Sequence, residues 1–408
     1  MKRLVLVLLS LALIVSCKKK EEETPNPDNN TKGNPTPIAC SDIVVNTTWT
    51  NREADPEKAD YIIDCMVLVE DGILTIEPGV RIVFSNSEAG LLCEENGAIK
   101  MLGTSALPII LEGEESAKGS WHGVIYGSNT PSNQMEYVTI RHAGSGAYNS
   151  GYPAGLSLGG YDGGQRLSIS NCTITDNLNY GVFIEKLSNL TKIENCQFTN
   201  NEKAGLKTWL EAIAKMDTLS DYETGNGYDY IEVYETGDGA GNVSQNLTIK
   251  GMPTPMRVAE RIRFNGSGYT LTINAGAVLK MAPSVEIDMD GCLLRVLGTA
   301  THYVTFEGSS EGKGSWVGIN IRNSGNNLMK YCIVDGGGSE SPSFSDGQGG
   351  IVLGDFGSSG DKLTIQNCTI KNCENTGIAK KSNSVVTASS MLYANNGSPS
   401  ACNTMCNY

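Results

Sequence analysis

Three histidines, a crowd of aspartates in one glycine-rich stretch and a run of aromatic residues are the side chains here whose types and spacing could do chemistry. His122, His142 and His302 are scattered; Arg141-His142 stands at the end of a segment that reads as a strand. That pair is the candidate general base, although a histidine with no orienting partner is more often a solvated loop residue than a catalyst. Asp335, Asp346, Asp355 and Asp361 share their stretch with Glu340 and many glycines. Carboxylate oxygens at irregular spacing can hold Ca²⁺, but no regular calcium-loop motif is present, and an acidic, solvated loop is the simpler account. Trp209, Tyr222, Tyr228, Tyr230 and Tyr234 gather between residues 206 and 240. Such rings suit stacking on a sugar or a partner protein.

Charge narrows the partners. The chain has 31 basic and 45 acidic residues, a formal net charge of −14. It offers no basic stripe for phosphate, so nucleic acid is set aside, and an anionic membrane surface is equally disfavoured.

The first residues read as an address. Lys2 and Arg3 precede an apolar run from Leu4 to Val15 broken by Ser10, too short to span a bilayer and suited to a secretory signal. The run ends in Ile14-Val15-Ser16-Cys17, which resembles the lipobox of bacterial lipoproteins. That resemblance implies cleavage before Cys17 and acylation of Cys17, an anchor to the outer membrane. Lys18-Lys19-Lys20-Glu21-Glu22-Glu23 follows and resembles the surface-export signal of Bacteroidota lipoproteins, which implies an outward-facing location. Residues 17–39 are rich in Pro, Asn, Thr and Lys and read as a disordered tether, reaching roughly 25 Å on average.

An oxidising compartment invites disulfides. Cys40 with Cys65 and Cys402 with Cys406 are the expected bridges, near the two ends of the folded body. Cys172, Cys196 and Cys368 each follow an Asn in the same local frame and read as small core residues.

The elements that must position these residues come from a repeat. Leu74-Thr75-Ile76-Glu77-Pro78-Gly79-Val80 returns as Leu271-Thr272-Ile273-Asn274-Ala275-Gly276-Ala277, and Gly119-Ser120-Trp121 as Gly314-Ser315-Trp316. Asn171-Cys172-Thr173-Ile174 returns as Asn367-Cys368-Thr369-Ile370, so the chain is a tandem duplication. A shorter period lies inside each half: Ile169-x-Asn171-Cys172-x-Ile174 recurs 24 residues later as Ile193-x-Asn195-Cys196-x-Phe198. Apolar residues alternate over a few positions, then Asn or Gly interrupts, which predicts short strands with tight corners. The 47 glycines and seven phenylalanines agree with many corners around a narrow interior.

The motifs Leu74–Val80, Gly103-Thr104, Pro108-Ile109, Gly119-Ser120-Trp121-x-Gly123 and Tyr137-Val138-x-Ile140 resemble the right-handed parallel β-helix family, in the form common among bacterial surface lipoproteins. The resemblance implies an all-β solenoid over residues 41–400. It also raises polysaccharide cleavage, because the family includes pectate lyases and polygalacturonases. The clustered aspartates, His-Gly and Arg-x-Lys of the polygalacturonases are not found in this sequence; Asp176-Asn177 is the nearest imitation and reads as a corner. Trp121 and Trp316, at identical places in the two copies, read as packing residues rather than sugar platforms.

The expected organisation is a signal segment (1–16), a lipidated tether (17–39), a first β-helix half (40–205), a connecting insertion with one short helix (206–240) and a second half continuous with the first (241–408). Glycine-rich loops at 143–165 and 336–361, leaving the same corner in each copy, should project on one side. The function expected is that of a surface lipoprotein presenting a scaffold for glycan or protein binding. Polysaccharide lyase or glycoside hydrolase activity is the alternative, a passive spacer the third. Enzyme status stays open, with binding favoured, and no cofactor is expected beyond the Ca²⁺ the aspartates suggest.

Overall fold

The structure, a computed structural model, describes residues 34–149, 151–160, 163–235, 242–266, 268–357, 360–397 and 404–408. Residues 1–33, which include the segment read as a signal, Cys17 and most of the segment read as a tether, lie outside the described residues.

Each coil of the first half is three short strands, as in Ile73–Ile76, Arg81–Phe84 and Gly90–Cys93. Their alternating side chains send one set inward, and each strand pairs in parallel with its equivalent in the next coil. Leu74 thus stands beside Ile99, Ile82 beside Leu111 and Leu91 beside Val124. All six are buried, and each buried aliphatic side chain contributes about 1.5–3 kcal/mol. The corners follow from backbone chemistry: Asn171, Asn195 and Asn367 sit at φ of 54°, 52° and 55°, a left-handed conformation that Asn tolerates. Corner asparagines also bond from coil to coil, Asn195 Nδ2 donating to Asn171 Oδ1 at 2.7 Å. Inside, Asn177 Nδ2 donates to Asn201 Oδ1 at 3.0 Å, satisfying buried amides that water cannot reach.

Trp121 and Trp316 are fully buried. Their indole N–H groups donate to the carbonyls of Arg141 (2.8 Å) and Asp335 (2.7 Å), the equivalent strand-end residues of the two copies. Both tryptophans therefore tie one coil to the next.

Among the described residues the strands form five parallel sheets. A 7-stranded and a 6-stranded sheet belong to the first half, two 6-stranded sheets to the second, and one 13-stranded sheet runs through both. The long sheet takes the third strand of each first-half coil, such as Gly123–Tyr126, but the second strand of each second-half coil, such as Val304–Gly308. Gly318–Arg322, the sequence equivalent of Gly123–Tyr126, lies in a different sheet. Equivalent strands thus stand one face apart around the solenoid.

The junction produces this shift. Leu206–Trp209 and Ile231–Glu235 both join the long sheet, while the neighbouring faces gain only isolated bridges, Ile193 to Met216 and Gln197 to Asp221. The short helix expected here is a 3-10 helix, Leu210–Lys215, and the segment around it continues the coil rather than leaving it.

Three further expectations change. The two glycine-rich segments each contain a strand, Ala154–Leu158 and Gly349–Leu353. Their loops do not project on one side: residues 143–153 lead into a strand of the long sheet, and residues 336–348 leave the far end of another, Cys332–Asp335. Because all strands of that sheet run parallel, the loops flank it on opposite edges. Finally, ordered structure begins within the segment read as tether, since Thr36–Pro37 pairs with Tyr61–Ile63. Cys40 and Cys65 are bridged, closing the first coil. Cys406 is disulfide-bonded, and Cys402 lies outside the described residues.

Candidate binding surface

Side chains on the outer face of the long sheet meet rung by rung. One ladder runs Leu68, Leu92, Ile125, Ser157, Phe183, Lys207, Glu232, Arg257, Lys280, Glu307. It is mostly apolar in the first half and charged from the junction onward, with Arg257 and Lys280 as adjacent cations between Glu232 and Glu307.

The change of character falls on a cluster of rings. Gly151 lies against Phe183, where a Cβ would come within 2.8 Å of the ring. Tyr152 meets Tyr180, Phe183 and Tyr234 at centroid distances of 6.1, 5.3 and 5.7 Å. Lys207 Nζ sits 4.1 Å from the Tyr152 ring, 5.0 Å from Tyr234 and 5.2 Å from Tyr180, and is ion-paired with Glu232. Tyr180 Oη donates to the same carboxylate at 3.1 Å. Burial lowers the Lys207 pKa, and the Glu232 carboxylate opposes that shift; the pair and the three ring faces together hold an ammonium out of water. Burial first, then Glu232, raises the Tyr180 hydroxyl well above its ordinary range.

Beside this cage the surface is open. Tyr228 and Tyr230 stack at 5.3 Å with an interplanar angle of 18°, and Arg257 lies 5.8 Å from the Tyr230 ring. Lys203 Nζ is 5.1 Å from Tyr180. Tyr152 and Tyr228 keep 39% and 37% of their surface exposed, enough to leave ring area for a ligand.

The five aromatic residues singled out in sequence therefore separate. Tyr228, Tyr230 and Tyr234 are part of this surface. Tyr222 is fully buried and stacked on Phe198 at 5.2 Å, so it is a core residue. Trp209 is half-buried and lines a different cleft of about 420 Å³ with Leu187, Leu190 and Lys215. Tyr152, Tyr180, Lys203, Lys207, Glu232 and Arg257 were missed. Three of the charged members did carry a signal: Lys207, Glu232 and Arg257 each sit between two inward residues at coil-length spacing, as does Lys280 one coil further on.

The acid–base candidates lie elsewhere and apart from one another. Arg141 belongs to an Arg–Glu–Arg triad on the 7-stranded sheet. Its Nε and Nη2 reach Glu112 Oε2 at 2.9 and 2.6 Å, and Arg81 Nε reaches Oε1 at 2.8 Å. An arginine so paired orients a carboxylate and takes no proton. His142 is a corner residue at φ 66°, its carbonyl accepting from Ser120 N–H. Asp335 is held by Lys371 at 3.0 Å and Asn372 at 2.7 Å. Asp361 is buried and accepts from Ser324 N–H at 2.8 Å, Asp355 accepts from Asn323, and Asp346 is exposed. Among the described residues the one group close enough to share a metal ion is Cys40, Asp64 and Cys65, and there the two sulfurs are bonded to each other. Among the described residues the four aspartates do not bring their oxygens close enough to share one ion.

A polar cleft of about 560 Å³ continues along the charged half of the long sheet, lined by Lys280, Glu307, Glu311, Ser315, Asp335 and Asn372.

The model of the right-handed β-helix region matches residues 64–215 and 284–405, and the chain belongs to that family. No curated protein and no solved structure matches it.

Proposed function

We propose that this protein is a lipid-anchored, surface-exposed lipoprotein whose β-helix presents a binding face for a glycan or a partner protein. The observation that carries the reading is the tyrosine–cation surface at the junction: stacked and half-exposed rings beside Lys203 and Arg257 on a rigid sheet. Flat apolar ring faces bind the C–H faces of sugars and serve equally as anchors in protein interfaces. The anchor at Cys17 rests on the lipobox-like sequence alone.

The test is a panel of glycans and envelope proteins presented to the soluble body. Tyr228→Ala and Tyr152→Ala should each weaken binding about tenfold, equivalent to about 1.4 kcal/mol. Variants that bind like the parent would overturn the assignment of this face. Replacing Cys17 by Ala should release the protein from the membrane fraction.

Polysaccharide cleavage has one observation in its favour. Glu307 and Asp335 lie on paired strands and line the same cleft, and neighbouring strands are about 4.8 Å apart, near the spacing of carboxylates in retaining glycosidases. The same glycan panel, read for new reducing ends, decides it: products lost in Glu307→Gln would establish turnover.

A further inference from the structure

Each half stacks cysteines in neighbouring coils of its core. In the first, Cys172 N–H donates to Cys196 Sγ at 3.5 Å. In the second, Cys332 N–H donates to Cys368 Sγ at 3.3 Å, and the two sulfurs are 3.1 Å apart. Cys332 and Cys368 are 0% and 1% exposed, and neither is bonded covalently here. Ile333 pairs with Thr369, which places the two preceding cysteines directly opposite each other. Rungs of a parallel sheet are about 4.8 Å apart, inside the Cα window of about 4.4–6.8 Å that a disulfide needs.

We propose that Cys332 and Cys368 are the site of a cross-coil disulfide, formed by thiol–disulfide exchange with a small-molecule or protein disulfide as oxidant. The Cys368 thiol, a hydrogen-bond acceptor from Cys332, has its pKa lowered chiefly by that bond, whereas the same bond and burial raise that of Cys332. Cys368 is therefore the first nucleophile. Its thiolate attacks one sulfur of the oxidant, forming a mixed disulfide and expelling one oxidant thiolate, which takes up the proton Cys368 lost. Cys332 then gives up its proton and attacks Cys368 Sγ, and the second half of the oxidant leaves as a thiol. Two protein thiols lose two electrons and two protons in total, and the oxidant disulfide gains both. The sulfurs must close by about 1 Å to reach bonding distance.

The location gives the bond a use. Thr369–Lys371 pairs directly with the last strand of the long sheet, Leu392–Ala394. That final coil is a poorly covered end of the solenoid, with Val385 51% and Leu392 58% exposed, so unravelling from the C-terminal side starts there. Opening of the end coil is also the route by which an oxidant reaches sulfurs that are buried in the closed state. Once formed, the bond stops the opening one coil in from the end.

The purified protein, warmed with glutathione disulfide to just below its unfolding temperature, is alkylated, digested and mapped by mass spectrometry. The expected result is a Cys332–Cys368 peptide pair lighter by two hydrogens and loss of both alkylated forms, while Cys93 and Cys373 stay alkylated. Recovery of both cysteines alkylated, or singly capped by glutathione, overturns the proposal. Limited proteolysis gives the second readout. Oxidised protein should be trimmed from its C-terminal coils more slowly than reduced protein. That difference should vanish in Cys368→Ser, which keeps the Cys40–Cys65 bridge; a difference that persists there overturns the clamp.

Discussion

The outer faces of two sequence-equivalent sheets invert each other's chemistry. In the first half the rungs under the loop at 143–153 are Leu68, Leu92, Ile125, Ser157 and Phe183. In the second half, under the loop at 336–348, the same rungs are Arg263, Asp288, Asn320, Val352 and Ala379. One ring from each loop lies over its face. Tyr152 covers Phe183 and Lys207, while Phe344 lies 4.5 Å from Arg322 and 5.2 Å from Arg263. The first loop covers its face with ring contacts and is tied at its base by Ser145 Oγ donating to the Ser87 carbonyl at 2.6 Å. The second is held by polar bonds, Ser343 N–H donating to Glu286 Oε2 at 2.8 Å and Asn320 Nδ2 to the Ser343 carbonyl at 3.0 Å. A loop whose underside is ionic can be anchored by pairing as firmly as one whose underside is oily, provided every buried charge has a partner. Arg322 meets that condition by taking Asp288 with two bonds, at 2.8 and 3.0 Å, and Asp290 with a third at 2.8 Å.

Breaking that pairing should have the largest effect. Arg322→Ala leaves the wholly buried Asp288 carboxylate with only Arg263, at 3.3 Å. The expected loss is about 3–5 kcal/mol in a denaturant titration, because the buried carboxylate loses its two-bond partner and keeps one more distant cation. Replacing Asp288 and Arg322 together by Leu and Met, toward the apolar character of the first half, should recover most of it. If the double variant is as unstable as the single one, the two faces are not interchangeable solutions.

The tryptophans sharpen the comparison at smaller scale. Trp121 stacks on Phe84 at 3.9 Å and 3°; at the place of Phe84 the second copy has Met281. Trp→Ala at either site should cost about 3–5 kcal/mol for the cavity. The loss at Trp121 should exceed that at Trp316 by about 1 kcal/mol, the added worth of an aromatic pair. Equal losses in matched unfolding curves would show that the shared indole-to-carbonyl bond, not the stacking, governs both sites.

How much of this was legible in the sequence depends on which contacts cross between coils. Alternation around Asn171, Cys172 and Ile174 specifies strand, corner and inward face within one coil, so the solenoid and the duplication could be read directly. The Lys207 cage draws Tyr152, Tyr180 and Tyr234 from successive coils. Its assembly depends on coil length and on the register shift at Thr208 and Trp209, which no local pattern encodes. Glu286-Ile287-Asp288-Met289-Asp290 likewise reads as an ordinary strand with a wet outer face. It is the loop arriving from residue 336 onward that buries Glu286 and Asp288. The one-face shift of the halves is hidden for the same reason: the junction adds two strands to one sheet and only bridges to the others.

The smallest effect separates a half-buried carboxylate from a wholly buried one by pH. Partial burial pushes the Asp217 pKa up, but bonds from the Ser220 hydroxyl and from the Asn195 and Ser220 backbone N–H groups outweigh it and leave the value lowered. Asp288 goes the other way: burial outweighs Arg322 and its pKa is raised. A lowered carboxylate contributes stability above its unfolded pKa and loses it as pH falls through the folded value. A raised one favours the fold below its unfolded pKa, and that advantage is lost as pH rises through the folded value. Asp217→Asn should therefore reduce stability at neutral pH and converge with the parent once the medium is acid enough to protonate Asp217 in both states. The check is a series of urea titrations from pH 7 down to about pH 2, beyond the lower end of the ordinary carboxylate range. A gap that stays constant across the series would mean that Asp217 acts through its shape and neutral hydrogen bonds, and that its charge carries nothing at this corner.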